Sequence, residues 1–534
     1  MSDMTTFELR QRFQARQSPR RKRSLLAAIV LVAALSATIP SIAGDDERAK
    51  NQKFYYQPYN EAEIKAAAKK PLTLNDCIRI ALAKNIALRI ACGDLSRAEA
   101  LHAGSYGKFL PVFSVEGAKT NSLEKLFTQN QIEIDDSTEV LVDVTEKNFD
   151  NNSTVTGKAN LFLPTGATFQ FSSDFFRAVQ YPFEEPTVKS RDRSYSLNLT
   201  QPLLRDAGPT VARSSFLTTG YDRQLEEKNL LNEKLQTVFS VKRAYYLALL
   251  QRELIKVNQI ALIRDSTLVE ASKALIVAKQ ATRRDVLSAE IRFADDRAAL
   301  LASKSDYELA LDNLKDVAGL PIDMPIKVDS TGLDYAPVNL DEKLLVRQAI
   351  ENNPGIRNAE ISISRSRLQR SLAKNALLPQ LDLVASYSSE LRTNLVRNRD
   401  LSRTGGWQAR LNLSYPFLNR EAASKAEEAE IAVAQQQDRL LGIQRQITID
   451  VRDVVRGVYS AVEQIKAIQA SIKVAEEKLE FSTLMFNLGR ASNFDITESQ
   501  EFLLKAQNQY LRKLVDYHTQ LALLENLTGK PIVQ

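Results

Sequence analysis

Two carboxylates, Asp495 and Glu498, lie in the stretch Phe486-Asn-Leu-Gly489-Arg-Ala-Ser-Asn-Phe-Asp495-Ile-Thr-Glu498. Three residues apart at the start of a helix, they share a face, and that spacing serves two chemistries. Asp-Ile-Thr-Glu is a capping-box pattern in which Asp495 accepts from backbone N–H groups and Glu498 reaches back. Paired carboxylates on one face are also a local negative field that draws cations and resists anions. Neither role requires a catalytic constellation, and the sequence offers none. His102 and His518 are its 2 histidines, Cys77 and Cys92 its 2 cysteines, and they show no clustered metal-ligand spacing. The 18 glycines form no phosphate-binding loop, and the 4 methionines form no soft-metal path. No catalytic residue, cofactor or resident metal is expected, so the chain does not read as an enzyme.

The elements that must position this acidic stretch are long. With only 18 Gly and 17 Pro in 534 residues, the composition favours uninterrupted helices. From about Thr210 to Lys279, and again from Arg420 to Leu488, the pattern is helical without a proline. Ile447, Val451, Val454, Val458, Val462, Ile465, Ile468, Ile472, Ala475 and Leu479 fall at steps of three and four, a narrow coiled-coil seam. A helix of that length reaches ~105 Å, too long for one globular core, so it must pack beside others in a bundle or tube. Breaks near 279–285 and 489–495 turn the chain back into antiparallel partners, 286–318 and 496–528.

The two breaks belong to a tandem repeat. Asp285 precedes Gly319 by the same interval that separates Asp495 from Gly529, and Asn85 precedes Pro111 by the interval between Asn353 and Pro379. A helix opening at Leu72-Thr-Leu-Asn75-Asp, with a capping residue before its apolar run, is expected to continue to Pro111; its counterpart runs from Leu340-Asp-Glu to Pro379. After each proline the period changes from 3.6 to 2. Leu381, Leu383, Ala385 and Tyr387 alternate with polar residues, as do Trp407, Ala409, Leu411, Leu413 and Tyr415, which reads as two strands joined by a polar loop and closed at Pro416. The first copy is longer here. Between Pro111 and Pro202 it adds Val155–Leu163 and Ala167–Phe175, linked by a tight Pro164-Thr-Gly166 turn, before a last strand at Tyr195–Leu199. Such alternation fits a membrane β-barrel wall or a soluble sandwich. Because four to six strands interrupt helices, a barrel would need several chains to close.

Most of the formal net charge of +6 sits in residues 1–43, leaving a near-neutral remainder with no reason to bind nucleic acid. Arg20-Arg-Lys-Arg23, the apolar run Leu25–Leu35, and Ser41 and Ala43 before Gly44 read as a secretory signal, too short in its apolar part to span a bilayer. Cys77 and Cys92, fifteen apart on what reads as one helix, are ~22 Å apart and cannot pair within it. Beyond residue 43 no apolar run is long enough for a spanning helix, so membrane insertion must use strands.

In order and spacing, several stretches resemble the TolC-like outer-membrane efflux proteins. They are Leu72-Thr-Leu-Asn-Asp-Cys-Ile-Arg-Ile-Ala-Leu-Ala-Lys-Asn85, Leu-Pro111, Leu-Pro379, Leu199-Thr-Gln-Pro202-Leu-Leu-Arg, Tyr415-Pro-Phe-Leu, the Leu488-Gly489 to Asp495 tip and Gly-Lys-Pro531. The resemblance covers residues 72–533 and implies an α+β fold: a long antiparallel α-helical barrel of coiled-coil hairpins under membrane β-barrel strands, as a homotrimeric channel. Its parts would be a signal peptide (1–43), an N-terminal arm (44–71), a first repeat (72–322) with strands about 112–201, a linker or equatorial segment (323–339), and a second repeat (340–534) with strands about 380–415. The resemblance further implies an outer-membrane location reaching into the periplasm, outer-membrane lipid around the strands, and a periplasmic adaptor and inner-membrane pump as partners. The function implied is a passive exit duct for small molecules; a type I protein secretion conduit is an alternative, and a periplasmic coiled-coil scaffold or adaptor is one of another class.

At the inner end, three-fold symmetry would gather Asp495 and Glu498 into a ring of carboxylates at the pore gate. The two tips are unequal: Lys279 stands where the second copy has Gly489, and Ser288 where it has Glu498. Phe486 and Ala491 occupy positions where family members can carry a tyrosine and an arginine that lock the closed state. Arg283, Arg284 and Asp285 read as a solvated turn with a cap or as an adaptor-binding latch. Trp407 and Tyr415 read as membrane-interface aromatics. The family norm is two strands per half, so the additional hairpin near 155–175 either widens the barrel or lies outside the membrane.

Overall fold

The computed structural model describes residues 70–530, apart from 136–137, 182–185, 278–281, 330–332, 334, 337, 396–398 and 489. The expected signal segment, most of the arm and Gly489 lie outside the described residues.

Each copy opens on two helices rather than one. In the first, α1 (Leu74–Lys84) and α2 (Ile86–Ser105) meet at Asn85; in the second, α5 (Glu342–Asn352) and α6 (Pro354–Asn375) meet at Asn353. The ψ of 133° at Asn85 and 124° at Asn353 is incompatible with a continuing helix. Each side chain caps the helix that follows: Asn85 Oδ1 accepts from Leu88 N at 3.0 Å, and Asn353 Oδ1 from Gly355 N at 2.8 Å. The capping residue expected in this stretch is Thr73, which forms a reciprocal capping box with Asp76. Cys77 and Cys92 therefore sit on different helices, both as free thiols. Burial pushes the Cys77 thiol up to about 12.

The long elements are α3 (Ser214–Val277) and α7 (Arg420–Asn487), of 64 and 68 residues, which makes them ~96 and ~102 Å long. They pair antiparallel with α4 (Arg283–Ala318) and α8 (Asn493–Thr528). The coiled-coil seam is the buried face of α7. Ile447, Val451, Val454, Val458, Val462 and Ile465 pack with Leu345, Ala349 and Ile356 from α5 and α6 and with Tyr517, Leu521 and Leu524 from α8. The first copy repeats the arrangement with Cys77 and Ala81 against Val241, Tyr245, Leu249, Leu311 and Leu314. Among the described residues no helix is long and apolar enough to cross a membrane.

At the far end from the tips, six strands form one antiparallel sheet in chain order: β1 (Val112–Asp135), β2 (Thr138–Phe162), β3 (Thr168–Tyr181), β4 (Val188–Pro202), β5 (Gln380–Asn394) and β6 (Arg399–Ser414). The copies join where β4 pairs with β5. Pro111 and Pro379 immediately precede strands, Pro202 ends one, and Pro416 follows the last, all places where a missing N–H costs little. The Pro164-Thr-Gly166 turn is present, with Gly166 at φ +94° and its N–H donating to Leu163 O at 2.9 Å. The expected polar loop between Tyr387 and Trp407 is instead mostly strand, since β5 and β6 run on to Asn394 and from Arg399. Ladder bonds join main-chain atoms, so polar side chains do not end a strand.

Candidate functional site: the hairpin tips and the two-faced sheet

At both tips the helix that returns is started by the same device. Thr282 N and Oγ1 donate to Asp285 Oδ2 at 2.9 and 2.6 Å, and Ser492 N and Oγ donate to Asp495 Oδ2 at 2.7 and 2.8 Å. The capping box is thus Ser492 with Asp495. Asp495 occupies the third helical position rather than the cap, so the box lies one turn earlier than Asp-Ile-Thr-Glu implies. The Ser492 backbone and hydroxyl hydrogen bonds hold the Asp495 carboxyl below its ordinary range, and those of Thr282 do the same for Asp285, so both are fully ionised at neutral pH. Arg284 lies exposed in the first turn of α4. Glu498 does not reach back; it accepts from Lys478 Nζ at 2.8 Å, with 44% and 43% of the two side chains exposed.

The tips of the two copies are tied together by a residue that sequence reasoning missed. Asn493 is only 3% exposed, and its Nδ2 donates to Ser272 Oγ at 2.7 Å and to Asp285 O at 3.0 Å. The α8 start is thereby bonded to both α3 and α4. Below it Ile496 packs on Leu268 and Ala289, with half-buried Phe486 and Leu479 closing the cluster. The signal in the sequence is a stripe: Asn493, Ile496, Ser499 and Leu503 recur at helical spacing and are all buried.

Deeper along the same helices, Asp265 of α3 and Asp296 of α4 are 2% and 8% exposed. Burial, then the hydrogen bond and charge of Asp296, push the Asp265 carboxyl up to about 7, against Arg292 and Arg264. Arg292 lies 3.8 Å from Asp296 and donates at 3.5 Å to Glu501 of α8.

The sheet has two chemically distinct faces in register across all six strands. One row of paired residues reads Phe113, Ala159, Phe171, Leu197, Tyr387, Trp407, and a neighbouring row reads Leu161, Phe169, Leu199, Ala385, Ala409. Trp407 is 80% exposed and Phe113 70%, as expected of a face that meets no protein. The opposite face is polar and cross-bonded. Ser172 and Ser196 hydroxyls meet at 2.7 Å, Ser194 Oγ donates to Asp174 at 3.0 Å, and Arg392 Nε donates to Asp192 at 3.2 Å. Backbone hydrogen bonds within a sheet, an apolar outer face and a polar inner one are what lipid on one side and water on the other require.

Residues 345–530 match the family model described as outer membrane efflux protein. The chain is 24% identical over 321 residues to the outer membrane efflux protein BepC of Brucella suis, covering 57% of this chain and 66% of that protein. It is 20% identical over 247 residues to the outer membrane protein TolC of Vibrio cholerae, covering 46% and 56%. The chain thus spans less than two thirds of the length of these curated relatives. Solved structures extend the likeness in fold. The outer membrane protein VceC of Vibrio cholerae superposes with a TM-score of 0.63 at 16% identity, over 86% of this chain and 97% of that one. The open state of the MtrE outer membrane channel of Neisseria gonorrhoeae gives 0.60 at 16% identity, over 86% and 89%. The α+β fold is therefore shared with these outer membrane channels, and the additional hairpin expected in the first copy is part of its six-stranded sheet, where the family norm is two strands per half.

Proposed function

We propose that the chain is the outer-membrane exit duct of a tripartite efflux or secretion system, a passive channel and not an enzyme. Its two repeats, 72–322 and 340–534 joined by 323–339, would place the sheet in outer-membrane lipid and the hairpins in the periplasm. Supporting this reading is one observation above all: a sheet apolar on one face and polar on the other stands on helical hairpins ~100 Å long. Six strands cannot close around water, so several copies must contribute; that they are three, a homotrimer, is what the TolC-like resemblance implies, and apolar residues left exposed on the hairpins, among them Ile263, Ile291 and Val474, supply faces for neighbouring copies. A solitary periplasmic scaffold has no use for the apolar outer face. A periplasmic adaptor and an inner-membrane pump complete the assembly at the tips.

The tip of the second repeat is the constriction in this reading. Asp495 provides the charge of the gate, and Glu498, neutralised in part by Lys478, adds less. Reconstituted in planar bilayers, the protein should form cation-selective pores. Asp495→Asn should lower that selectivity nearly as far as the double change with Glu498→Gln, and unchanged selectivity in the double variant would dispose of the gate.

A further inference from the structure

The sheet of one protomer ends on two unpaired edges, β1 and β6. Their residues are exposed throughout on the described side chains, whereas those of the central strands are mostly half-buried by neighbours. Both strands carry the two-faced pattern. Six is an even number, so in an all-antiparallel order β6 of one copy runs opposite to β1 of the next.

The register of the sheet fixes how these edges meet. At the end nearest the helices, Val112 of β1 pairs with Asn160, but β2 runs two residues further, to Phe162. Thr168 of β3 pairs with Thr200, and β4 runs two further, to Pro202. Pro202 pairs with Asp382, and β5 begins two earlier, at Gln380, opposite Ser414 of β6. The strand ends thus drift by about six residues over six strands, which at ~3.3 Å per residue and ~4.8 Å per strand is a tilt of about 35°, inside the range of closed barrels. If all strand ends lie at one level, Ser414 of one copy stands opposite Val112 of the next.

We infer that β6 pairs with β1 of the neighbouring copy in that register, closing an eighteen-stranded barrel. This rests on the trimeric duct proposed above. The register brings like with like along the seam. On the lipid face Leu413 meets Phe113 and Leu411 meets Val115; on the polar face Asn412 meets Ser114, and Arg410 meets Glu116 with opposite charge. A slip of one residue would put Arg410 on a level with Val115 or Gly117 and turn one strand's polar face to lipid. The two strands of the additional hairpin, β2 and β3, are internal strands of the wall, paired on both sides, rather than an appendage. Eighteen strands at this tilt enclose a backbone diameter of about 34 Å, against about 22 Å for twelve. The outlet is therefore an open, polar-lined water channel suited to bulky hydrophilic cargo, and selection falls to the tips.

Cysteine pairs across the seam test this in the full-length membrane-inserted protein. Oxidised with copper phenanthroline, the Ser114→Cys/Asn412→Cys variant should run as covalent dimers and trimers on non-reducing denaturing gels, with most protein in a ladder ending at three. The single variants, and Ser114→Cys with Ala409→Cys on the other face, should not. Separately, Glu116→Arg should reduce heat-resistant trimer at least tenfold, and adding Arg410→Glu should restore it. A conducting protein that gives no inter-copy bond with Ser114→Cys/Asn412→Cys or Glu116→Cys/Arg410→Cys, or whose ladder ends elsewhere, overturns the eighteen-stranded seam and leaves the duct standing. A protein that neither inserts nor conducts overturns both.

Discussion

A single amide does two jobs at the centre of each repeat. Asn85 Oδ1 caps α2 while its Nδ2 donates to Val317 O at 2.8 Å, near the end of α4; Asn353 does the same for α6 and Leu527 O, at 3.4 Å. Asn85→Ala removes a cap and strands a carbonyl, a loss of about 1–3 kcal/mol. Asn85→Asp should retain the cap and lose the donor, giving an intermediate loss in chemical denaturation. The glycines beyond α4 and α8 separate two effects. Both are left-handed, at φ +68° and +65°, but a Cβ on Gly319 would lie 2.6 Å from Lys84 O, whereas the nearest atom to one on Gly529 is 3.5 Å away. Gly319→Ala should therefore destabilise clearly more than Gly529→Ala, whose cost is confined to the backbone strain of about 1 kcal/mol. Equal losses would show that Asn85 and Lys84 do not hold the position seen.

At the scale of elements, the three-helix contact of α3, α4 and α8 should respond to pH through Asp265. Its folded carboxyl is raised to about 7 by burial and by Asp296, above the ~4 of an unfolded chain. The folded state therefore binds the proton more tightly between those values. Its stability contribution is complete below pH ~4 and is lost as pH rises through ~7. Amide-exchange protection of α3 and α4 around these residues should fall from pH 5 to pH 8 in the native protein and stay flat in Asp265→Asn.

Much of this architecture was legible because periodicity records which face is covered. The α7 seam from Ile447 to Leu479 is buried or half-buried at every position named. Its partners were legible only as a repeat. What stayed hidden has particular causes. The break at Asn85 has no proline or glycine beside it, so only the Asn oxygen bonding forward marks it, whereas at Asn353 the following Pro354 takes the first helical position. Asp265 and Asp296 are polar residues buried by contacts from other helices, and although the stripe of Asn493, Ile496, Ser499 and Leu503 marks a covered face, nothing local reports what covers it. The outer halves of β5 and β6 carry polar residues on both faces, and alternation fades where lipid no longer demands it.

For the whole molecule, the same fading separates wall from projection. From the row Gly117, Val155, Phe175, Arg193, Leu391, Arg403 outward the face that is apolar below carries charge, and beyond Phe149 opposite Tyr181, β2 no longer pairs with β3. From there β1 and β2 continue as a two-stranded ribbon as far as Asp135 opposite Thr138. An isolated ribbon contributes little stability of its own, and barrel closure needs β1 only as far as β6 extends, near residue 127. The ribbon beyond is then dispensable for the duct. Replacing Gln129–Asp143 by an Asn-Gly turn, which suits a two-residue hairpin between Thr128 and Val144, should leave heat-resistant trimer and single-channel conductance within about a fifth of the native values, because the tips set the resistance. A large change in conductance would place part of the narrow path at the outer mouth instead, and the wide outlet would have to be abandoned.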